Sequence, residues 1–250
     1  MAAFPGDRGA LGVLGGMGPL ASAEFIKSIY TLSPFASEQE MPRVLLDSDP
    51  VFPDRTHAIQ TGIDRQEVTD RLGHRLAGLA EQGATTIVIA CFTAHHFLAG
   101  VEPALRRNVV SLVDITLDGL VAASGRFLML CTSGTRQARV FQNAPSWPAV
   151  ARQIVLPDRS DAALIHQMVY RMKRNEPMSD VVPTIDHLLS RYGCTGVVCG
   201  CTEFHLVSGA LAARYGEANV IDALRSIAIG LPELLATQRS VNGPEYAGLR

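Results

Sequence analysis

Several absences narrow the class of this 250-residue sequence before any motif is considered. No apolar run approaches the roughly 20 residues needed to cross a bilayer. The opening MAAFPGDRGALGVLGG lacks the basic segment, apolar stretch and small-residue cleavage site of a secretory leader. A cytoplasmic protein with no membrane partner is expected. Charge is scarce: Asp, Glu, Lys and Arg make up 18% of residues, below the roughly 25% typical of soluble domains. That deficit suggests surface hidden between lobes or in a homodimer. There is no basic run and the net charge is -2, which argues against nucleic acid as a partner. Five cysteines, an odd number thinly spread, make a poor disulfide framework and are read as thiols.

What is present is alternation. Short apolar runs at Leu11–Leu14, Val44–Leu46, Thr86–Ala90, Val109–Val113, Phe127–Cys131, Gln153–Leu156, Gly196–Cys199 and Val220–Ile221 read as buried strands. Helix-length amphipathic segments lie between them, among them Asp64–Gln82, Asp161–Lys173 and Asp180–Arg191. This pattern predicts an α/β fold of mostly parallel sheets flanked by helices. The polar stretch from Thr237 to Arg250 is expected to fray.

A weak internal repeat runs through the chain. Gly83 and Gly193 each stand eight residues ahead of a cysteine, Cys91 and Cys201, at the end of a predicted strand. Each cysteine is followed by a helix start and then by a strand with an acid, Asn108–Asp114 in one copy and Asn219–Asp222 in the other. Two similar halves would bring equivalent loops face to face across a cleft, at the strand ends where open α/β sheets bind ligands.

The chemistry concentrates in Ala90-Cys-Phe-Thr-Ala-His95 and Gly200-Cys-Thr-Glu-Phe-His205. Backbone N–H groups at a helix start stabilise a thiolate and draw its pKa below about 8.5. A lone cysteine at a strand end is usually inert filler; two at equivalent places suggest a pair. Inverting an α-carbon needs a base on one face and an acid on the other, and a thiolate and a thiol supply both. Without an electron-sink cofactor, the carbanion must be stabilised electrostatically.

With these motifs the chain resembles the aspartate/glutamate racemase family, in particular its aspartate racemase branch, from Gly12 to about Leu231. The resemblance implies two pseudosymmetric α/β domains with the active site in the cleft between them, here drawn as 1–112 with 218–250, and 113–217. It implies Cys91 and Cys201 as the catalytic thiols, no cofactor or metal, and an acidic amino acid as substrate. Leu14-Gly-Gly-Met-Gly-Pro19 is similar to the family's opening loop and brings Met17 to the substrate. Pro53-Asp-Arg-Thr56 resembles a motif whose arginine, here Arg55, meets the side-chain carboxylate. Lys173 stands where a second cation is expected. Thr93 with Ser133 and Thr135, from Thr132-Ser-Gly-Thr135, and Thr202 complete the substrate-binding set. Asp54 and Glu203 are supporting candidates, Glu203 as a charge that would raise a thiol's pKa against the helix-start effect.

Phe92 departs from the family, standing where asparagine is usual, and suggests an altered substrate through added apolar bulk. His205 is a lesser departure. Other readings remain: a related isomerase or decarboxylase of another small acid, or a non-catalytic carboxylate-binding protein. Gly16-Met-Gly-Pro-Leu-Ala21 fits a dinucleotide fingerprint but lacks its well-placed acid. Histidines four residues after each cysteine, His95 and His205, offer a two-Cys, two-His zinc arrangement.

Overall fold

The computed structural model describes residues 10–242. Eight strands form two four-stranded parallel sheets among these residues. The first sheet holds β1 (Ala10–Gly15), β2 (Val44–Ser48), β3 (Ala84–Ile89) and β4 (Val109–Val110), in the order β2-β1-β3-β4. The second holds β5 (Phe127–Met129), β6 (Ile154–Val155), β7 (Gly196–Val198) and β8 (Val220–Ile221), in the order β6-β5-β7-β8. The two orders are the same once each sheet is counted from its own first strand, so the internal repeat is a repeat of topology.

The apolar runs follow from this layering. Strands covered by helices on both faces need side chains for both, so β1 and β5 are buried throughout. The helices turn narrower stripes inward. In Arg65–Glu81, Val68, Leu72, Leu76 and Leu79 are buried at helical spacing. In Arg159–Lys173, Ile165, Met168, Val169 and Met172 do the same, and the Asp158 carboxylate caps the start by accepting from the Asp161 N–H at 2.9 Å. Gly193, at φ 58°, closes the helix Val181–Tyr192 in the left-handed conformation that glycine adopts without strain.

The apolar interior has three parts. One cluster lies within the first lobe around Leu14, Leu72, Ile87 and Ile89, and another within the second around Leu128, Ile185, Val197 and Phe204. The third crosses between lobes, joining Leu11, Phe25 and Ile29 to Phe127, Met129, Val198 and Ile221. Such a shared core makes the lobes one packed body.

Two expectations need correction. Val109–Val113 was expected as one strand, but β4 ends at Val110 because Ser111 accepts a hydrogen bond from the Asp114 N–H at 3.1 Å and starts the helix Leu112–Ala122. The return to the first domain drawn at 218 comes too early: β8 pairs with β7 in the second sheet. After Asp222 the helices Ala223–Ile229 and Leu231–Asn242 pack onto Pro19–Leu32 and β3, respectively. The stretch expected to fray is helical to Asn242, and 243–250 lie outside the described residues. Among the described residues, no helix is long and apolar enough to cross a membrane.

Candidate active site

Cys91 follows β3 and Cys201 follows β7, the equivalent strands of the two sheets. Both are 6% exposed, and both line one cavity between the lobes with Asp54, Arg55, Thr56, Thr93, Lys173 and Glu203. Each element delivers its residue for a local reason. Asp54 accepts from the His57 N–H at 2.8 Å and thereby starts the helix Arg55–Thr61, placing Arg55 and Thr56 in its first turn. Lys173 ends the helix Arg159–Lys173, where a cation meets the negative end of the helix dipole. The space left among these side chains is ≈ 10 Å³, room for about one water molecule and too little for an amino acid.

Glu203 governs the Cys201 end. The Cys201 thiol donates to Glu203 Oε2 at 2.7 Å, and Lys173 Nζ lies 3.7 Å from Glu203 Oε1. Burial first, and Glu203's charge second, raise the Cys201 thiol well above the ordinary cysteine range, against the opposing pull of Lys173. The helix-start effect expected from sequence is overridden: the turn after Cys201 is a short 3₁₀ segment, Thr202–Phe204. Burial alone would lower Lys173, but Glu203 and then Cys201 more than offset it and raise its pKa. Asp54 is held below the usual carboxylate range: burial opposes this, but the Tyr170 hydroxyl, donating at 2.6 Å, and the His57 N–H outweigh it.

Both cations point at the opening loop. Arg55 Nη2 donates to the Met17 carbonyl at 2.7 Å and Nη1 to Pro53 O at 2.9 Å, while Lys173 Nζ donates to Met17 O at 3.2 Å. Met17 therefore meets the site through its backbone, since its side chain is 1% exposed in the first-lobe core. The buried Arg55 Nε and Glu203 Oε1 have no hydrogen-bond partner. Gly18 lets the loop come this close: a Cβ there would lie 2.6 Å from Glu203 Oε1.

The remaining predicted residues divide. Thr93 lines the cavity, and its hydroxyl lies 2.8 Å from Thr135 Oγ1 and 3.2 Å from Thr132 Oγ1, a buried three-hydroxyl cluster that joins the lobes. Thr135 thus supports Thr93 and does not line the cavity itself. Thr202 donates to the Ala90 carbonyl at 3.0 Å, tying the Cys201 turn to the residue before Cys91. Ser133 lies outside: its hydroxyl accepts from Gln60 Nε2 at 3.1 Å, and it lines a different cavity. Phe92 is also outside, 2% exposed and packed on Phe141 with ring centroids 5.1 Å apart in the shared core. It adds no bulk beside the substrate, because the chain at Phe92 turns the ring inward. Thr56 was missed in the sequence; its signal was only its place beside Arg55.

The histidines after the cysteines stitch backbone together. His95 Nδ1 donates to the Cys91 carbonyl at 3.0 Å, and its Nε2 accepts from the Leu112 N–H at 3.3 Å. Burial lowers its pKa and favours this neutral form. His205 Nδ1 lies 2.6 Å from Asp222 Oδ2 and Nε2 lies 3.0 Å from Ser28 Oγ. Each histidine thus ties its cysteine turn to the helix start after the last strand of its sheet, Leu112 in one lobe and Asp222 in the other. Neither lines the cavity, and the described residues contain no group of three or more His, Cys, Asp or Glu able to hold a metal ion.

Known proteins share this architecture. The chain is 23% identical to a glutamate racemase of Deinococcus radiodurans over 84% of its own length and 73% of that protein's. It is 21% identical to a broad specificity amino-acid racemase of Bacillus subtilis, over 79% of this chain and 86% of that one. The structure superimposes on the aspartate racemase of Picrophilus torridus with a TM-score of 0.76 at 22% identity, covering 91% of this chain and 95% of the other. The family model for Asp/Glu/Hydantoin racemases matches residues 14–228, which span both sheets and both cysteine turns. The chain belongs to the Asp/Glu/hydantoin racemase family.

Proposed function

We propose that this racemase inverts the α-carbon of an acidic amino acid by moving protons between Cys91 and Cys201, without a cofactor. The observation that carries the mechanism is the equivalence of the two cysteines. They stand at matching strand ends of two sheets with the same order and line one cavity. In one direction the Cys91 thiolate takes the α-proton and the Cys201 thiol returns a proton to the opposite face. In the other, the Cys201 thiolate left by that turnover is the base, and the Cys91 thiol returns a proton to the opposite face. Lys173, whose charge is felt at both thiols, stabilises the charge that develops on the substrate while the proton is off carbon.

The substrate class follows from the donors left unspent. Asp54 is engaged by Tyr170 and the His57 N–H, and Glu203 by the Cys201 thiol. Arg55 keeps a buried Nε without a partner, and Lys173 holds a carbonyl at 3.2 Å and a carboxylate only at 3.7 Å. The free donors suit a second carboxylate that a guanidinium or ammonium can hold by charge-assisted bonds, and the free acceptor, Glu203 Oε1, suits a substrate ammonium. Arg55→Ala should lower kcat/KM for aspartate roughly 10- to 150-fold, the loss expected for one charge-assisted contact of about 1.5–3 kcal/mol. The same variant should change turnover of neutral amino acids far less. Faster wild-type turnover of a neutral amino acid, untouched by Arg55→Ala, would overturn the substrate assignment.

A further inference from the structure

We propose that a second ligand site lies beside the catalytic cavity, built for an anion with an apolar body larger than an acidic amino acid. The site is a cavity of ≈ 600 Å³ in the second lobe, roofed by Gln60 of the first, within the roughly 300–1,000 Å³ usual for small-molecule pockets. Leu156, Pro157, Ala162 and Ala163 give it an apolar wall, and Arg136 and Arg159 supply its charge. No carboxylate lines it.

Its donors are available. Arg136 spends one nitrogen on the Pro157 carbonyl at 2.7 Å, which fixes the guanidinium at the wall, and forms no ion pair among the described residues. Arg159 is exposed and has neither a hydrogen bond nor an ion pair there. His166 Nδ1 accepts from the Ser133 N–H at 3.4 Å, so its Nε2 carries the proton and can donate. Cys131, also in the lining, stays a neutral thiol because burial pushes it up to about 12. An anion therefore meets only positive or neutral groups. An acidic amino acid would fill a small part of this volume and has no use for the apolar wall, so the occupant is an aryl or alkyl carboxylate.

The place of the cavity links it to catalysis. Thr132 lines it and lies 3.2 Å, hydroxyl to hydroxyl, from Thr93 in the catalytic cavity. Ser133, beside it, holds Gln60 on the helix that carries Arg55. An occupant thus touches the loop that separates the two cavities.

Calorimetric titration of the intact protein with naphthalene-1-carboxylate, and with naphthalene-1-carboxamide as its uncharged counterpart, tests the proposal. The carboxylate should bind, and the amide at least about tenfold more weakly, as loss of a charge-assisted contact predicts. Arg159→Gln should weaken the carboxylate by a similar factor, and Ala163→Trp, at an exposed helix position, should block it by filling the wall. Both variants should racemise aspartate as the wild type does. Saturating aspartate should leave naphthoate binding in place. The proposal is overturned by no binding, by equal binding of the amide, by an unchanged affinity in Arg159→Gln, or by competitive displacement with aspartate.

Discussion

At the Cys201 sulfur, burial and the Glu203 carboxylate hold the proton on while Lys173 draws it off, and the first two prevail. Glu203→Gln removes the carboxylate's charge but keeps a hydrogen-bond acceptor, so the Cys201 thiol should ionise at lower pH. Whether Cys201 serves as acid or as base, the limb of the pH–rate profile that it controls should move to lower pH. Measuring kcat/KM against pH from both enantiomers checks this, and a profile that stays put would show that Glu203 does not set the thiol. Phe92 poses a different question. Its identity suggested an unusual substrate, yet its ring lies against Phe141 in the shared core. Phe92→Asn should therefore cost stability, about 3–5 kcal/mol by analogy with truncated buried phenylalanines, and leave the ratio of aspartate to neutral amino-acid turnover unchanged. Urea unfolding and a substrate panel on the same variant separate the two roles.

At the scale of elements, the site is closed by the approach of helix Arg55–Thr61 to helix Ser133–Gln137 from the other lobe. Gly134 makes that approach possible: a Cβ there would sit 2.6 Å from Thr56 Oγ1 and 2.8 Å from Thr56 Cα. A side chain can rotate away, but the Thr56 backbone cannot. Gly134→Ala should push the two helices apart, lowering stability by about 1–3 kcal/mol as overpacking does, and lowering aspartate turnover because Arg55 moves with its helix. Unchanged unfolding midpoint and activity would mean that this contact does not hold the cleft. A substrate in this cavity needs more room than the ≈ 10 Å³ left inside. The Tyr170–Asp54 and Gln60–Ser133 hydrogen bonds lie across the same seam.

For the whole molecule, the sequence displayed the duplication and the sheet class because both are written in local periodicity. Apolar runs such as Leu11–Leu14 and Phe127–Cys131 are buried on two faces, and the spacing of Gly83 to Cys91 recurs from Gly193 to Cys201. The boundary drawn at 218 cut β8 from its sheet, although the repeat that sets Asn219–Asp222 against Asn108–Asp114 already put that strand in the second copy. The sequence did not separate residues that face the cavity from their neighbours. Ser133 and Thr135 belong to one loop, yet the first faces another cavity and the second supports Thr93, a distinction set by how the lobes pack.

The proposed mechanism has Cys91 and Cys201 working on opposite faces of one α-carbon. Its most direct measurement is racemisation of L- and of D-aspartate in D2O by the wild type and by Cys91→Ser and Cys201→Ser. The wild type should deliver the opposite enantiomer with deuterium at the α-carbon while the remaining substrate gains little at early times. Each serine variant should lose inversion by at least about 10²–10⁴-fold, the usual worth of a general acid or base. Inversion without α-deuterium, or inversion undiminished in either variant, would contradict the two-thiol mechanism.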